Sequence, residues 1–583
     1  MLHVKDHKTG YLFEPFSYMG SKRMKRIKDS WAGFFREEIL PELPVEELIR
    51  HYDATQGRPS KEVYAVLGAV LLQQMMDLTD EETVDQFAFN LQWHYALNVT
   101  DESDRGSYLC QKTLWTMRTM VMQDSVAPVI FDRVTDKLKR LFDVNTEQQR
   151  LDSVHIFSNM RHLGRIGLIA QTLRKFMVNL KRQDREQFAT VPEELQERYL
   201  PKRGEAVFAL VKPSEAERTL QTLGKDLFEL IERFRNDEKI QQMHSYGLLV
   251  RVFGEQFQVE VSDGESRILI NEKVPSDSLQ NPSDPDATYD RHKGKGYQVQ
   301  VLESYSDRKE DEAEEPPLNL ITYVEAQPAH EHDAHTVKKA LEKTRQENRD
   351  PSLIVADSLY GGDDNHVACQ AEGVELIAPV KANKPRPKVG LADFSYGAQN
   401  RITQCPMGHA PVSSYHRKER HSEWFDSDLC LNCPLREECP VKGAKKGHFI
   451  RYSNKELRLE LRKAQEQTSE FRDHYRYRAG CEATMSELDR KTGIKNLRVR
   501  GLAAVCLCVF LKATGLNIFR AARVRNRQLQ PEGWPTRSLS TLFRVLNSGQ
   551  KAFRQAFAAL RIQIADLKAD FAATTPFREN LAA

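Results

Sequence analysis

The stretch from residue 150 to residue 381 constrains the fold most, because short apolar runs and longer helical patterns alternate along it. The apolar runs are rich in β-branched residues, which favours buried strands. They are RLDSVHIF at 150–157, GYQVQVLE at 296–303, LNLITYVEAQ at 318–327, LIVA at 353–356 and VELIAPVK at 374–381. Helices are predicted at 161–182, 215–235 and 331–347. This order predicts an α/β fold with a mixed sheet and helices on its faces, in which the second and third strands form an antiparallel hairpin.

Helical patterns lie on either side of this stretch. Residues 1–145 are predicted to form a bundle, in which Ser60 caps one helix and another helix follows Thr79. A bundle could present a helix to DNA, but a bundle without DNA contacts has the same periodicity. Residues 454–492 predict one long charged helix. The longest apolar run, GLAAVCLCVFL at 501–511, is about half of the ~20 residues that a membrane span needs, so we expect a buried helix there.

Composition bounds the class of protein. A chain of 583 residues with 40% hydrophobic residues is too long for a single core. Its start, MLHVKDHKTG, has no apolar leader, and its nine cysteines are odd in number, so we expect a soluble cytoplasmic protein in a reducing compartment, with no membrane partner. The net charge is only +2, so any contact with nucleic acid has to come from local basic clusters.

Asp357 directly follows the strand LIVA, and Gly361 and Gly362 then interrupt the regular structure. The end of a strand is rigid and its loop is open to ligands, which suits a catalytic carboxylate. Aspartate also forms turns and caps helices, so a purely structural role is the alternative at this position.

Further residues complete a candidate site. Asp152 lies in the first predicted strand, and Tyr475, Arg478 and Glu482 are spaced to share one helix face, which alone is typical of any charged helix. The three acids Asp152, Asp357 and Glu482 come from separate elements and can converge on Mg²⁺, which prefers oxygen ligands and keeps positions open for phosphates. Two such ions can support cleavage of a phosphodiester.

The residues around the third acid resemble a motif of the DDE transposases of bacterial insertion sequences. One branch of that family has the pattern Y-x2-R-x3-E-x6-K, which this sequence matches at Tyr475, Arg478 and Glu482. It departs at the last position, where Asp489 stands and the basic residues Arg490 and Lys491 follow. The basic residue of the motif is therefore displaced.

The likeness extends along most of the chain. LDSVHIFSNMRHLGR around Asp152 and VADSLYGG around Asp357 fit the regions of the family's first and second acids. GRPSKEVYAVLGAVLLQQM in the N-terminal region and RGLAAVCLCVFLKATGLNIFR after the third acid fit as well. Each motif is weak alone, whereas their order along the chain is specific.

The resemblance implies an RNase H-like core in which Asp152, Asp357 and Glu482 hold two Mg²⁺ or Mn²⁺ ions, supported by Tyr475 and Arg478. It also implies cleavage of transposon ends and strand transfer into target DNA by a homodimer in the bacterial cytoplasm, associated with the nucleoid. The DNA partners would be double-stranded terminal inverted repeats and target DNA. One alternative is an RNase H-like nuclease without strand transfer, and another is a catalytically inactive domesticated DNA-binding protein.

The expected domain boundaries follow from this assignment. They are a helical DNA-binding domain at 1–145, a catalytic core at 146–381 with a helical insert at about 160–290, a Cys-rich insert at 382–450, a segment at 451–525 that completes the core with the third acid, and a helical C-terminal tail at 526–583.

The Cys-rich insert carries a possible zinc site. Its cysteines are spaced C-x24-C-x2-C-x5-C, at Cys405, Cys430, Cys433 and Cys439. A C-x2-C pair can bind one ion from a tight turn, and an insert with few apolar residues needs a stabiliser, so we expect structural Zn²⁺. Because the x5 spacing is loose, His409 or His421 could replace one cysteine, and free or redox-active thiols are the alternative.

Two other segments bear on ligands. The basic stretch KANKPRPK at 381–388 alternates cations with prolines that keep it extended, which suits a backbone of DNA, and a plain solubilising linker is the alternative. Its cations are Lys381, Lys384, Arg386 and Lys388. The run HEHDAH at 330–335 could bind a metal, but we interpret it as the start of a helix with solvated histidines.

Overall fold

The N-terminal region is helical, as predicted. The computed structural model describes residues 2–53, 55–57, 59–200, 211–262, 265–307, 317–381, 388–445 and 447–529. Its first helices are α1 (Ser21–Lys28), α2 (Trp31–Phe34), α3 (Val63–Met75), α4 (Asp80–Phe89), α5 (Leu91–Ala96), α6 (Asp104–Ser107), α7 (Gln111–Gln123) and α8 (Val126–Leu141). The capping box of Thr79 on α4 confirms one prediction. The predicted cap of α3 is wrong: the Glu62 carboxylate accepts from the first amides of the helix, and Ser60 accepts from the His3 amide.

The first sheet strand is followed by an insert with its own core. Strand β1 (Gln148–Phe157) leads into α9 (Arg165–Gln183), α10 (Arg185–Ala189), α11 (Glu193–Tyr199), α12 (Ala216–Phe234), α13 (Glu238–Gln241) and α14 (His244–Gln256). The sequence predicted α9 and α12, but not the antiparallel hairpin β2 (Phe257–Ser262) and β3 (Glu265–Ile270). Apolar residues of these helices form a separate buried cluster, so the insert supplies its own hydrophobic core.

The central sheet is mixed, as predicted. Its further elements are β4 (Thr288–Asp290), β5 (Gly294–Ser304), β6 (Ile321–Pro328), α15 (Thr336–Gln346), β7 (Leu353–Ala356), α16 (Asp363–Ala371) and β8 (Glu375–Ile377). Strand β5 pairs antiparallel with β1, β4 and β6, whereas β1–β7 and β7–β8 are parallel. The hairpin of β5 and β6 confirms another prediction. Strand β8 is shorter than predicted, because Pro379 has no amide to donate to a ladder.

Helices cover both faces of this sheet. On one face, alternate residues of β1, β5 and β6 share a core with the N-terminal helices and the C-terminal part of the chain. On the other face, residues such as Leu151 and Leu302 pack with α15 and α16. This two-sided burial is typical of sheets with parallel strands.

The Cys-rich segment folds around a small sheet of its own. Its elements are β9 (Ser395–Tyr396), β10 (Ile402–Gln404), β11 (Ser413–Arg417), β12 (Arg420–Phe425), α17 (Ser427–Leu431), β13 (Lys442–Ala444) and β14 (Gly447–Ser453). Strands β11, β12, β14 and β13 form a four-stranded antiparallel sheet over a small apolar cluster that includes Phe425 and Tyr452. The sequence did not predict these strands.

The chain then returns to helices. The predicted helix at 454–492 is divided into α18 (Asn454–Gln465), α19 (Ser469–Tyr475) and α20 (Ala479–Thr492), and a 3₁₀ turn at Arg476–Arg478 joins the last two. Helix α21 (Leu502–Gln528) follows. Within the described ranges it is the one helix long and apolar enough to cross a membrane, but 67% of its apolar window is buried inside the protein. Residues up to Arg525 form one compact unit, and the predicted C-terminal tail lies outside the described residues except for 526–529.

Candidate active site

Asp152 and Asp357 lie side by side where strand β7 ends. The last parallel pair between β1 and β7 joins Leu151 to Ala356, and the two aspartates come next on their strands. Paired positions of parallel strands point to the same face at a spacing of about 4.8 Å. Strand β1 continues to Phe157 beside β5, so Asp152 stands in mid-strand at the notch that the short β7 leaves open.

The Asp152 carboxylate is surrounded by unlike and like charges. Its side chain is 13% exposed, and it accepts from the Ser153 amide at 2.9 Å and from Arg478 Nη2 at 3.4 Å. Burial raises the pKa of Asp152; the Ser153 amide and Arg478 oppose that rise, and the carboxylates of Asp357 and Asp333 add to it. Burial is the larger cause of the raised pKa, and the two neighbouring carboxylates add like charge beside Asp152.

Arg478 connects Asp152 to the third predicted acid. It ends the 3₁₀ turn before α20, and its Nη1 donates to Glu482 Oε1 at 3.2 Å. Arg478 and Glu482, spaced i, i+4, thus form an ion pair. The side chain of Glu482 is 72% exposed. Tyr475 is more buried, and burial raises its pKa; its phenol also interacts with Arg478, Asp357 and Asp152. The structure therefore brings Asp152, Asp357, Tyr475 and Arg478 together and joins Glu482 to them through the guanidinium.

Carboxylate oxygens are the donors that Mg²⁺ prefers, so the chemistry of this notch fits a hard divalent cation. In the described part of the chain, however, no group of three or more His, Cys, Asp or Glu side chains is already arranged to hold a metal. Arg478 supplies the positive charge between Asp152 and Glu482 instead. Bringing Glu482 to a shared cation requires this guanidinium to move.

A buried ion-pair network fixes α20 against the sheet. Glu303 on β5 is 1% exposed and accepts from Arg150 Nε at 2.7 Å, from Thr484 Oγ1 at 2.8 Å and from Arg520. Arg150 crosses so close to α20 that a Cβ on Gly480 would lie 1.6 Å from its Nη1. The helix that carries Glu482 is therefore positioned by contacts that no spacing rule in the sequence indicates.

A fourth carboxylate near Asp152 was missed by the sequence analysis. Asp333, 5% exposed, accepts from Gln300 Nε2 at 2.7 Å and from Lys293 Nζ and Ser153 Oγ, each at 3.4 Å. It lies in the run HEHDAH, whose last three residues, Asp333–His335, form a 3₁₀ turn directly before α15, so the run leads into a helix as predicted. The buried Tyr360, three residues after Asp357, donates to Gln300 at 2.5 Å and links the two loops. The sequence shows Asp333 only as an aspartate among histidines and gives no sign that it is buried.

None of the basic residues near Asp489 lies where the sequence motif has its final lysine. Asp489 pairs with Lys495, whose Nζ lies 3.8 Å from Asp489 Oδ2. Lys491 lies over the ring of Phe519 on α21, and Arg490 is exposed. Lys495 is thus the cation beside the position where the motif has its lysine.

The four cysteines of the predicted zinc site meet around one cavity of about 40 Å³, which they line together with His409. They are Cys405, Cys430, Cys433 and Cys439. All four are free thiols, and burial and the other three thiols raise the pKa of Cys430 to about 11. His421 packs on Tyr452 and bonds Asn454, so it does not reach this cavity's lining. The four thiols line the same cavity, but among the described residues they are not arranged as a set of metal ligands.

The structure describes two of the four cations of the predicted basic linker. Lys384 and Arg386 lie outside the described residues. Lys381 is exposed, and Lys388 pairs with Glu438 of the Cys-rich segment at 2.5 Å. That pair neutralises one of the four cations proposed to contact DNA.

This geometry defines an α/β protein with paired aspartates at the junction of two parallel strands, faced by an arginine and a third acid on a helix. A family model described as Transposase DDE domain matches residues 404–522, and one described as Transposase domain (DUF772) matches residues 32–119. The two matches confirm the resemblance to a DDE transposase of the insertion-sequence type and indicate a transposase. Glu482 lies inside the first match, whereas Asp152 and Asp357 lie outside both. No curated protein and no solved structure matches the chain.

Proposed function

We propose that this protein cleaves the ends of its own DNA element and joins them to target DNA, in a metal-dependent reaction. The observation that carries the proposal is the juxtaposition of Asp152 and Asp357 beside Arg478, within a chain that matches two transposase families. The sheet order β6–β5–β1–β7–β8, with its first two pairings antiparallel and its last two parallel, supports the RNase H-like core that the resemblance implies.

Asp152, Asp357 and Glu482 would hold two Mg²⁺ or Mn²⁺ ions, which supply activation of the attacking oxygen and stabilisation of the leaving oxygen. Arg478, released from Glu482, would contact the phosphate that is attacked, and Tyr475, whose phenol interacts with Arg478, would support it. Hydrolysis forms a bond from the oxygen of water to phosphorus, breaks the P–O3′ bond and frees a 3′-hydroxyl. Joining forms a bond from that hydroxyl to a target phosphorus and breaks one P–O bond, so no external energy source is needed.

The partners follow from the reaction. DNA is the substrate, and joining two ends favours a homodimer that holds one end in each protomer. Helix α1 supports contact with DNA, since all five of its basic residues are exposed and it has no acid. We further propose that the four gathered cysteines bind a structural Zn²⁺, and that the protein acts in the cytoplasm at the nucleoid.

The deciding experiment incubates the protein with DNA that carries the repeats flanking its gene, with Mg²⁺, and maps cleaved and joined products. Asp152→Asn, Asp357→Asn and Glu482→Gln should each lower cleavage by orders of magnitude and leave DNA binding nearly unchanged. Glu470→Gln, on an exposed position of α19, is the matched control and should cleave like the parent. An Asp152→Asn variant that cuts at the parent rate would remove Asp152 from the site.

Product maps also separate the rival functions. Cleavage without joined products would identify a nuclease rather than a transposase. Specific DNA binding with no metal-dependent nicking would identify a DNA-binding protein that has lost its chemistry.

A further inference from the structure

The helical insert carries a cavity whose polar lining is basic and neutral. It measures about 440 Å³ and lies between α9, the loop after β1 and the loop before β4. Three cations line it: Arg161, Arg174 and Lys175. Three amide side chains also line it: Gln171, Asn179 and Asn281. Among the described residues no carboxylate lines the cavity, in a chain whose whole net charge is only +2.

The cations that line the cavity form no salt bridges with carboxylates among the described residues. Helix α9 has five basic residues and no acidic one over its 19 residues. Within the described residues neither Arg161 nor Arg174 has a salt bridge, and Arg161 is exposed. Lys175 donates to the carbonyl of Pro282, and burial lowers the pKa of its ammonium. An anion in the cavity would relieve the cost of holding these cations together.

The walls of the cavity are rigidly tied to the strands of the sheet. Asn281, 6% exposed, donates to the Arg161 carbonyl at 3.2 Å. Asp284 in the same loop accepts from Ser158 Oγ at 2.8 Å and from Tyr297 OH at 2.5 Å. The cavity therefore keeps a fixed position relative to β1, which also carries Asp152.

We propose that this cavity binds phosphates of a DNA duplex whose reacting strand lies at the carboxylate notch, an inference that rests on the proposed function. Guanidinium, ammonium and amide donors without carboxylates suit a phosphodiester backbone. Met160, at the cavity, follows Asp152 by eight residues, so the two sites are at most about 28 Å apart along the chain. One duplex turn spans about 34 Å, which is enough to reach both sites. Contacts to phosphates carry no sequence information, so the cavity would fix register rather than choose the site.

The test measures DNA affinity at several salt concentrations, without added Mg²⁺, for a duplex with the flanking repeats and for an unrelated duplex of equal length. The variant Arg161→Gln/Arg174→Gln should weaken binding to both duplexes and flatten the log–log salt slope by up to ~1.8, which is ~0.9 for each lost contact. Arg161→Lys/Arg174→Lys should keep most of the slope. Arg218→Gln/Lys225→Gln, which removes two exposed cations of α12 outside the cavity, is the control and should match the parent.

An unchanged slope in a folded Arg161→Gln/Arg174→Gln protein would overturn this proposal and leave the proposed function standing, whereas a parent that binds no DNA would overturn both. A separate arm titrates inorganic phosphate and follows thermal unfolding. Stabilisation by phosphate that disappears in the variant, with equal DNA slopes, would assign the cavity to free phosphate and also overturn the proposal.

Discussion

Glu303 shows how one buried charge fixes the candidate site. Burial alone would raise its pKa, but Arg520 and Arg150 outweigh burial and hold the pKa of Glu303 below its usual value. The carboxylate bridges β5 to α20 and α21 through Thr484 and Arg520. It therefore holds together the strand beside Asp152 and the helix that carries Glu482.

Glu303→Gln should cost about 3–5 kcal/mol of unfolding free energy at neutral pH, because Arg150 and Arg520 would remain buried without their partner. A lowered folded-state pKa gives stability that is present above the unfolded pKa and lost as pH falls through the folded value. The difference between the variant and the parent should therefore shrink below about pH 4.5. Denaturant unfolding at pH 7 and pH 4 measures both values.

Glu194→Gln is the matched control, since Glu194 forms an ion pair with Arg198 but its side chain is 79% exposed. It should change the unfolding free energy by no more than about 0.5 kcal/mol. A Glu303→Gln protein as stable as this control would show that the network does not hold the helix.

At the scale of elements, the packing of α20 on β1 depends on Gly480, which has no side chain to collide with Arg150. A Cβ on Gly480 would overlap the Arg150 guanidinium at 1.6 Å, so a larger residue at this position would force the guanidinium out of its present place. Gly480→Ala should displace Arg150 or α20, cost about 1–3 kcal/mol and reduce DNA cleavage more than DNA binding. Calorimetry together with cleavage assays checks this expectation.

Gly254→Ala in α14 provides the comparison, because a Cβ there meets nothing within 4 Å. That change should stabilise the protein by about 0.5–1 kcal/mol through helix propensity alone and leave cleavage unaltered. Equal behaviour of the two alanine variants would contradict the close approach of α20 to β1.

The elements that the sequence predicted well are those with a local signal. Apolar runs located the strands β1, β5, β6 and β7, and the helical periodicity after Thr79 located α4. The position of Asp152 beside Asp357 needs the parallel pairing of β1 with β7, which no local pattern contains. Asp333 and Glu303 escaped notice for the same reason, since their burial arises from partners that are distant in sequence. In the small sheet of the Cys-rich segment, every residue of β11 is exposed, and two of the three buried residues of β12 are the polar His421 and Glu423. An alternating apolar pattern was therefore missing from the sequence.

At the scale of the whole molecule, the Cys-rich segment separates the second and third acids along the chain. Helix α18 contributes Leu457 to the apolar cluster of that segment, but it also has anchors at the central sheet. Arg458 of α18 forms a bidentate pair with Asp363 of α16, at 3.0 and 2.7 Å, and Arg462 donates to the carbonyl of Ala378. The segment's own apolar cluster is small. Its stability should therefore depend on a bound metal, while α18 remains docked on the sheet.

Purified protein should contain about one Zn²⁺ per chain, and Cys430→Ser/Cys433→Ser should remove it. Loss of zinc should speed amide hydrogen exchange in residues 395–445 and leave exchange in β1, β5 and α21 nearly unchanged, because those elements belong to other cores. Cys110→Ser, at an exposed thiol outside the cavity, is the control and should retain the metal. Protein purified without chelator that contains no zinc would refute the four-cysteine site, and exchange that speeds up equally in β1 would refute the local character of the segment.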